Sequence, residues 1–142
     1  MPDIVESVHI ADDARDLWCQ IGEFGAVGRW HPMLAKVESE GDRAGCRRVA
    51  ETRDGSRQTE RLLEFAREQH FYRYRMESTV LPVRNYIGEF RVEDCADQTS
   101  NVVWSARFDL TSADASDAVE GVRSFMKAGL DHLARLHRSA HV

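Results

Sequence analysis

A long apolar stripe at helical spacing, close to the C-terminus, is the feature that most restricts how this chain can fold. The large apolar residues of this stretch recur at steps of three and four, at Val122, Phe125, Met126, Leu130, Leu133 and Leu136. That period places them on one face of a helix, and the Ser and Asp residues of 112–116 are typical of a helix start. We therefore predict one long amphipathic helix whose apolar face is buried against another part of the chain.

The region from Met33 to Asp109 has a different pattern, in which short alternating runs are separated by turn residues. Alternation of apolar and polar residues is typical of half-buried strands, and Asp54-Gly55 is a strong signal for a tight hairpin. We predict an antiparallel meander with strands at 35–40, 46–52, 58–66, 71–78, 84–93 and 101–109.

The N-terminal segment adds one strand and two short helices to this pattern. The strand is predicted at 4–10, and Asp12 or Asp13 is suited to cap the first helix, since Asp accepts bonds from the free N–H groups of a first turn. A second helical segment at 24–30 ends before Pro32. A sheet with one apolar face needs a cover, and only the C-terminal helix is long enough to supply it. The prediction is an α+β fold.

Composition limits the function classes. The chain has 142 residues and a net charge of -5 without a basic stripe, which fits one domain and argues against nucleic acid or an anionic membrane as partner. No stretch approaches the roughly 18 apolar residues of a membrane span, and no signal peptide is visible. Cys19, Cys46 and Cys95 are far apart and odd in number, which argues against disulfides and zinc. We expect a cytoplasmic protein without a cofactor, and leave a homodimer open.

Several local strings resemble the START/Bet v 1-like (SRPBCC) superfamily, and within it the polyketide cyclase/dehydrase-type branch. The strings are residues 24–32, Gly45-Cys46-Arg47, Thr59-Glu60-Arg61-Leu62, residues 81–86 and residues 103–108. The resemblance covers nearly the whole chain and implies a single domain, 1–142, with the helix-grip fold. In that fold a seven-stranded curved antiparallel sheet surrounds a long C-terminal helix, and two short helices follow the first strand. It further implies a cavity for a hydrophobic molecule, in enzymes, carriers or sensors.

The stretch from Thr59 to Tyr86 is also similar to plant abscisic acid receptors. That resemblance implies pocket positions for Glu60 and Tyr86 and a ligand-latching role for the loop 80–83. Leu81-Pro82 replaces the receptors' latch residues, and the gate loop is shortened around Asp54-Gly55. These departures argue against a hormone-receptor role and leave the pocket itself as the expectation.

Strand alternation assigns an aromatic inner face to the sheet. On the helix, Gly121, Phe125 and Gly129 form a row at four-residue spacing, which we interpret as open space; the alternative is close packing of helix on sheet. The resulting ligand-binding prediction includes the Trp30 and Leu81-Pro82 regions. Its members are Trp30, Tyr74, Met76, Leu81, Pro82, Gly88, Phe90, Trp104, Ala106, Phe108, Gly121, Phe125 and Gly129.

Three polar residues are candidates for chemistry in the cavity: Glu60, Tyr86 and His31. Periodicity of the 58–66 strand favours the set of Thr59 and Arg61 as inward, whereas the resemblance favours Glu60, and we follow the resemblance. An inward Glu60 would need a partner such as Tyr86 or an arginine. His31 is either an accessory base at the cavity edge or, more often for such a residue, a structural hydrogen bonder.

The C-terminal histidines are interpreted as surface residues. His137 and His141 have a spacing that could bind a metal, but no acidic or Cys partner is implied, so no metal site is predicted.

Two functions remain open. The leading one is binding of a small hydrophobic or aromatic molecule, which needs apolar walls and one orienting polar contact. The alternative is a polyketide cyclase/dehydratase-like enzyme with Glu60 and Tyr86 as acid–base groups, because catalysis needs two polar groups that converge on the ligand. A protein-interaction module with a filled cavity is a third reading.

Overall fold

A seven-stranded antiparallel sheet in the order β1-β7-β6-β5-β4-β3-β2 forms the body of the molecule. The computed structural model describes residues 3–139. The helices are α1 (Ala14–Ile21), α2 (Val27–Trp30) and α3 (Asp117–Ser139). The strands are β1 (Asp3–Ile10), β2 (Leu34–Ser39), β3 (Arg47–Thr52), β4 (Arg57–Ala66), β5 (Phe71–Ser78), β6 (Val83–Cys95) and β7 (Thr99–Leu110). The predicted helix-grip α+β fold is confirmed, and the predicted strands end within one or two residues of these bounds.

Helix α1 follows from its local sequence. The Asp13 side chain accepts a bond from the Asp16 N–H and caps the helix, and Ala14, Leu17, Trp18 and Ile21 are its buried face. The cap therefore lies at Asp13, the second of the two candidates. The helix ends at Gly22, whose backbone N–H makes the last bond of the helical ladder, to the Trp18 carbonyl.

Strand β4 explains why its two sequence readings conflicted. Its pairing with β5 is interrupted between Thr59 and Glu60 and again between Leu62 and Glu64. Each bulge adds a residue and shifts which side chains face inward. Glu60 and Leu62 are buried, and beyond the second bulge Phe65 packs against Trp18. A strict two-residue period cannot hold along this strand, so each reading describes only part of it.

Helix α3 carries its apolar stripe across the sheet and packs mainly on β1. Val122, Met126, Leu130 and Leu133 are buried on its inner side, as the period predicts, whereas Leu136 is exposed. The prediction of open space at Gly129 is wrong, because a Cβ there would overlap the His31 ring and lie 3.1 Å from Trp30 Cζ3. The glycine lets the helix approach α2 closely and does not face open space.

No helix within residues 3–139 is long and apolar enough to cross a membrane. Within the same residues, no group of three or more His, Cys, Asp or Glu side chains is placed to hold a metal ion. His141 lies outside the described residues, and His137 pairs with Asp12. The cytoplasmic location stays a prediction, and the homodimer stays open.

Candidate ligand-binding site

A cavity of about 210 Å³ lies between the first half of α3 and the sheet, with lining residues from β2 to β7. Most of its wall is apolar, and the deeper part includes Val27, Leu34, Ala50, Val122 and Met126. Polar side chains from the β3–β4 hairpin line another part of it, namely Thr52, Asp54, Ser56 and Gln58. Met33 and Val80 also line it and are exposed, so they mark an apolar mouth.

Aromatic rings fill the space beside this cavity and so limit its extent. Trp30 lies between Phe90 and Trp104, with ring centroids 5.7 and 5.9 Å away. His31 stacks on Phe125 at 3.9 Å from the other side. The α2 segment thus brings two large rings under the middle of α3, and the cavity remains only under the helix's N-terminal half.

An ion pair between Arg48 and Glu60 forms the polar end of the cavity wall. The two residues are direct partners in the β3–β4 ladder, so their side chains share one face of the sheet. Arg48 Nε donates to Glu60 Oε1 over 2.8 Å, and both residues are almost fully buried, at 2% and 3% exposure. A buried charge of either sign would be costly alone, and each residue neutralises the other.

Arg48 is held by further contacts around the ion pair. Its Nη1 donates to the Phe24 carbonyl at 2.7 Å and to the Tyr72 hydroxyl at 3.0 Å. Its guanidinium carbon lies 4.2 Å from the Phe24 ring centroid and 4.7 Å from that of Tyr74. Burial alone would lower the pKa of Arg48, but the attraction of Glu60 outweighs it and the pKa is raised. Arg48 is therefore permanently charged.

One nitrogen and one oxygen of this ion pair make no hydrogen bond. Among residues 3–139 nothing bonds to Arg48 Nη2 or to Glu60 Oε2. Neither atom is sealed within the protein, because the one fully buried side-chain polar atom without a partner in that range is Trp30 Nε1. Since both residues line the cavity, a donor and an acceptor are available to a molecule inside it.

Tyr74 and Tyr86 add hydroxyl groups to the same wall. Trp104 Nε1 donates to the Tyr74 hydroxyl over 2.9 Å, and the Tyr86 hydroxyl interacts with that of Tyr74. Burial raises the pKa of both phenols well above the ordinary value. Both side chains therefore keep their protons at neutral pH and can serve as hydrogen-bond donors.

A backbone irregularity in β6 lies next to Tyr86, which shares the inward face with Gly88 and Phe90. The pairing of β6 with β7 shifts between Arg84 and Ile87, and Asn85 adopts a left-handed conformation with φ 54°. Asn tolerates this conformation better than most residues. Its side-chain Nδ2 donates to Asp109 Oδ2 over 2.9 Å, which holds the bulge in place.

His31 is a correction to the predicted catalytic set. It does not line the cavity. Its Nδ1 accepts from the Met33 N–H at 3.1 Å and its Nε2 donates to the Phe125 carbonyl at 2.7 Å, so both ring nitrogens are occupied. Burial lowers the pKa of His31 to about 4, against the opposing effect of the Phe125 hydrogen bond. The structure favours the other reading, a neutral histidine that ties α2 to α3.

The structure brings together half of the predicted site residues. Glu60 and Tyr86 line the cavity, and so do the predicted ligand-binding residues Tyr74, Met76, Leu81, Trp104, Gly121 and Phe125. Trp30 is packed beside the cavity without lining it. The same holds for Pro82, Gly88, Phe90, Ala106, Phe108 and Gly129, which do not line it either.

Gly88 shows why alternation selected these residues wrongly. It does point inward, as predicted, but a Cβ there would overlap the Tyr74 ring. The gap left by the missing side chain is filled by an aromatic residue of the neighbouring strand. An inward position on the sheet is therefore not the same as a position in the cavity.

Arg48 is the important residue that sequence reasoning missed. A signal existed, because an inward Glu60 requires a cationic partner and a hairpin centred near Asp54 pairs position 60 with position 48.

The curved sheet closed by α3 over an apolar cavity is the helix-grip arrangement. The chain belongs to the polyketide cyclase/dehydrase and lipid transport family, whose model matches residues 1–138. The predicted SRPBCC resemblance is thereby confirmed. No curated protein is a significant match to this chain.

Solved structures share the fold at low sequence identity. XoxI from Bacillus cereus is 23% identical with a TM-score of 0.91, over 100% of this chain and 99% of that one. The Zhui aromatase/cyclase from Streptomyces sp. R1128 is 17% identical with a TM-score of 0.81, over 96% and 93%. Norcoclaurine synthase from Thalictrum flavum, in complex with dopamine and hydroxybenzaldehyde, is 17% identical with a TM-score of 0.72, over 95% and 85%. At these identities the likeness shows the fold alone.

Proposed function

We propose that this protein binds a small, mostly apolar molecule in the cavity under the N-terminal half of α3. The observation that supports it most directly is the wall itself, which is apolar except for the hairpin and the Arg48–Glu60–Tyr86 end. Apolar walls with a few placed polar groups are typical of small-molecule sites. The family description, which covers cyclases and lipid transport proteins, agrees with such a role.

Tryptophan fluorescence tests the proposal, because Trp104 lines the cavity. Titration with naphthalene-type dyes and short fatty acids should quench the emission saturably, with one site per chain. A Trp104→Phe variant should lose most of the signal while it retains binding by calorimetry. No saturable response and no heat across the panel would overturn the proposal.

Two variants on α3 separate binding in the cavity from binding elsewhere. A Cβ on Gly121 would meet no heavy atom of the described residues within 4 Å, so Gly121→Leu can place its side chain into the cavity mouth. Ser124 is exposed on the same helix, and Ser124→Leu adds the same side chain outside the cavity. Gly121→Leu should weaken binding and Ser124→Leu should not.

A cyclase- or dehydratase-like enzyme is the second candidate. It is favoured by the presence of the Glu60 carboxylate and the Tyr86 hydroxyl on one cavity wall. With a substrate in hand, Glu60→Gln and Tyr86→Phe should each lower kcat more than they raise KM, since such groups act on the transition state. Equal effects on both quantities would leave a binding protein.

A further inference from the structure

The size of the cavity limits what can occupy it. Its volume is about 210 Å³. A cavity of roughly 150 Å³ already holds a benzene molecule, whereas pockets for drug-sized ligands span roughly 300–1,000 Å³. One aromatic ring with substituents, or two fused rings, fits this volume, whereas a molecule of three or more fused rings exceeds it and would have to extend through the mouth at Met33 and Val80.

The charges of the wall limit it further. Arg48, Glu60 and Asp54 are the charged residues among the described lining. An anionic group placed beside Arg48 Nη2 would also lie beside the Glu60 carboxylate, which is only 2.8 Å from Arg48 Nε. A cationic group beside Glu60 would meet the guanidinium in the same way. Asp54 lies exposed on the hairpin, and its carboxylate already accepts from the Thr52 hydroxyl and the Ser56 N–H. Because the buried ion pair neutralises itself, a charged group placed beside it would lose its hydration without a net counter-charge.

The free atoms of the ion pair instead match an uncharged group that both donates and accepts. Arg48 Nη2 offers an N–H, and Glu60 Oε2 offers a lone pair, both without a partner in residues 3–139. A hydroxyl or a primary amide can accept from the first and donate to the second at once. Such a group also spares these two polar atoms the cost of being covered by an apolar surface.

We infer that the occupant is an uncharged aromatic molecule of one ring or two fused rings that carries a hydroxyl or a carboxamide. This polar group accepts a hydrogen bond from Arg48 Nη2 and donates one to Glu60 Oε2. This inference rests on the proposed function and specifies its ligand class. The inference predicts that charged ligands bind more weakly than uncharged ones of the same shape. An apolar cavity with an unpaired arginine would instead favour anions.

A panel built on one ring system tests the inference: naphthalene, 2-naphthol, 2-naphthamide and 2-naphthoate, measured by calorimetry at pH 7.5. 2-Naphthamide and 2-naphthoate have nearly the same shape, so the ratio of their affinities measures the effect of the ligand's charge. 2-Naphthol and 2-naphthamide should each bind at least about tenfold more tightly than 2-naphthoate, and more tightly than naphthalene. 1-Pyrenol, with a larger apolar area, should bind at least about tenfold more weakly than 2-naphthol.

The Glu60→Gln variant isolates the role of the carboxylate. Without the negative charge, Arg48 is left to pair with the ligand, so the ratio of amide to carboxylate affinity should shift toward the carboxylate by about tenfold or more. Glu64→Gln is the matched control, since Glu64 lies exposed on the same strand and pairs with Arg73. It should leave the ratio unchanged. If Glu60→Gln does not fold, the ranking on the unaltered protein still decides.

The outcomes are distinct for the two proposals. Binding of 2-naphthoate as tight as that of 2-naphthamide would overturn this inference and leave the proposed function standing. Tightest binding by naphthalene, or equal binding by 1-pyrenol, would overturn the polar-head or the size part respectively. Absence of binding by every compound would overturn the proposed function and this inference with it.

Discussion

The two halves of the space under α3 differ in what fills them. Under Gly129 the ring of His31 and the edge of Trp30 occupy the gap that the glycine leaves. Under Gly121, two helical turns earlier, nothing lies within 4 Å of a built Cβ among the described residues, and the cavity opens there. Both glycines occupy the same row on the helix. A glycine in a helix therefore marks close approach or open space according to what the opposite element supplies.

The polar content of the two halves differs in the same way. In the packed half, under Gly129, both ring nitrogens of His31 bond to backbone atoms, and the Trp30 indole N–H is buried without a partner among residues 3–139. In the open half the Arg48–Glu60 pair keeps a donor and an acceptor free. The first arrangement stabilises the fold, and the second is suited to recognise a ligand.

Among the substitutions that test this comparison, removal of the Arg48 side chain should lower the stability of the protein most. Arg48→Ala leaves Glu60 buried without its partner and should destabilise the protein by about 3–5 kcal/mol in urea unfolding. The control is Arg73→Ala, whose ion pair with Glu64 is half exposed and should contribute about 0–1 kcal/mol. Similar effects for both variants would show that the Arg48–Glu60 pair is not buried as described.

Acid should weaken the packed half through His31. Burial lowers the pKa of His31 from 6.5 to about 4 in the folded protein, so the unfolded chain binds the proton more readily. The contribution of neutral His31 to the free energy of unfolding is complete above pH 6.5. It decreases as the pH falls from 6.5 to about 4 and is lost below that, with a total on the order of 3 kcal/mol. Urea unfolding from pH 7.5 to 4 measures it. His31→Gln should reduce the slope, whereas His9→Gln, at an exposed position, should not.

The two glycines should respond with opposite signs to the same substitution. Gly129→Leu overpacks the contact with His31 and Trp30 and should destabilise by about 1–3 kcal/mol. Gly121→Leu replaces a poor helix former where space is available and should stabilise by up to about 1 kcal/mol. Thermal unfolding of both variants gives the two signs. A stabilised Gly129→Leu protein would contradict the packed half.

The smallest effect on stability is expected for the hydroxyl of Tyr86, with the hydroxyl of Tyr72 as its comparison. Tyr72→Phe removes a hydrogen-bond acceptor from the buried Arg48 Nη1 and should cost about 1–3 kcal/mol of stability. Tyr86→Phe removes a hydroxyl from the cavity wall and should cost less than about 1 kcal/mol, while it weakens 2-naphthol binding several-fold. A reversed order in urea unfolding would place the structural hydroxyl at Tyr86 instead.

Most of the fold could be predicted from patterns of short range. Alternation located the seven strands, the apolar stripe located α3, and the resemblance supplied their arrangement, which the structure confirms. The inward side of β5 to β7 was also assigned correctly, since Tyr74, Phe90 and Trp104 are buried. These features depend on a residue's neighbours along the chain, and the period of a strand or helix reports them directly.

The site was only half predictable, because it depends on which side chains meet across the interior. Alternation assigns a residue to a face of the sheet but not to the filled or the open part of that face, so Phe90 and Gly88 were placed in the cavity and are not there. The bulges of β4 displace the period on both sides of the segment that carries Glu60 into the wall.

The sequence by itself determined the order of strands and helices, the apolar face of the sheet and the presence of a helix to cover it. Only the tertiary structure decided that the rings of Trp30 and His31 occupy the space below Gly129, that Arg48 pairs with Glu60, and that the cavity lies toward Gly121. The physical reason is that local periods are set by backbone geometry, whereas the filling of an interior depends on side chains brought together from distant parts of the chain.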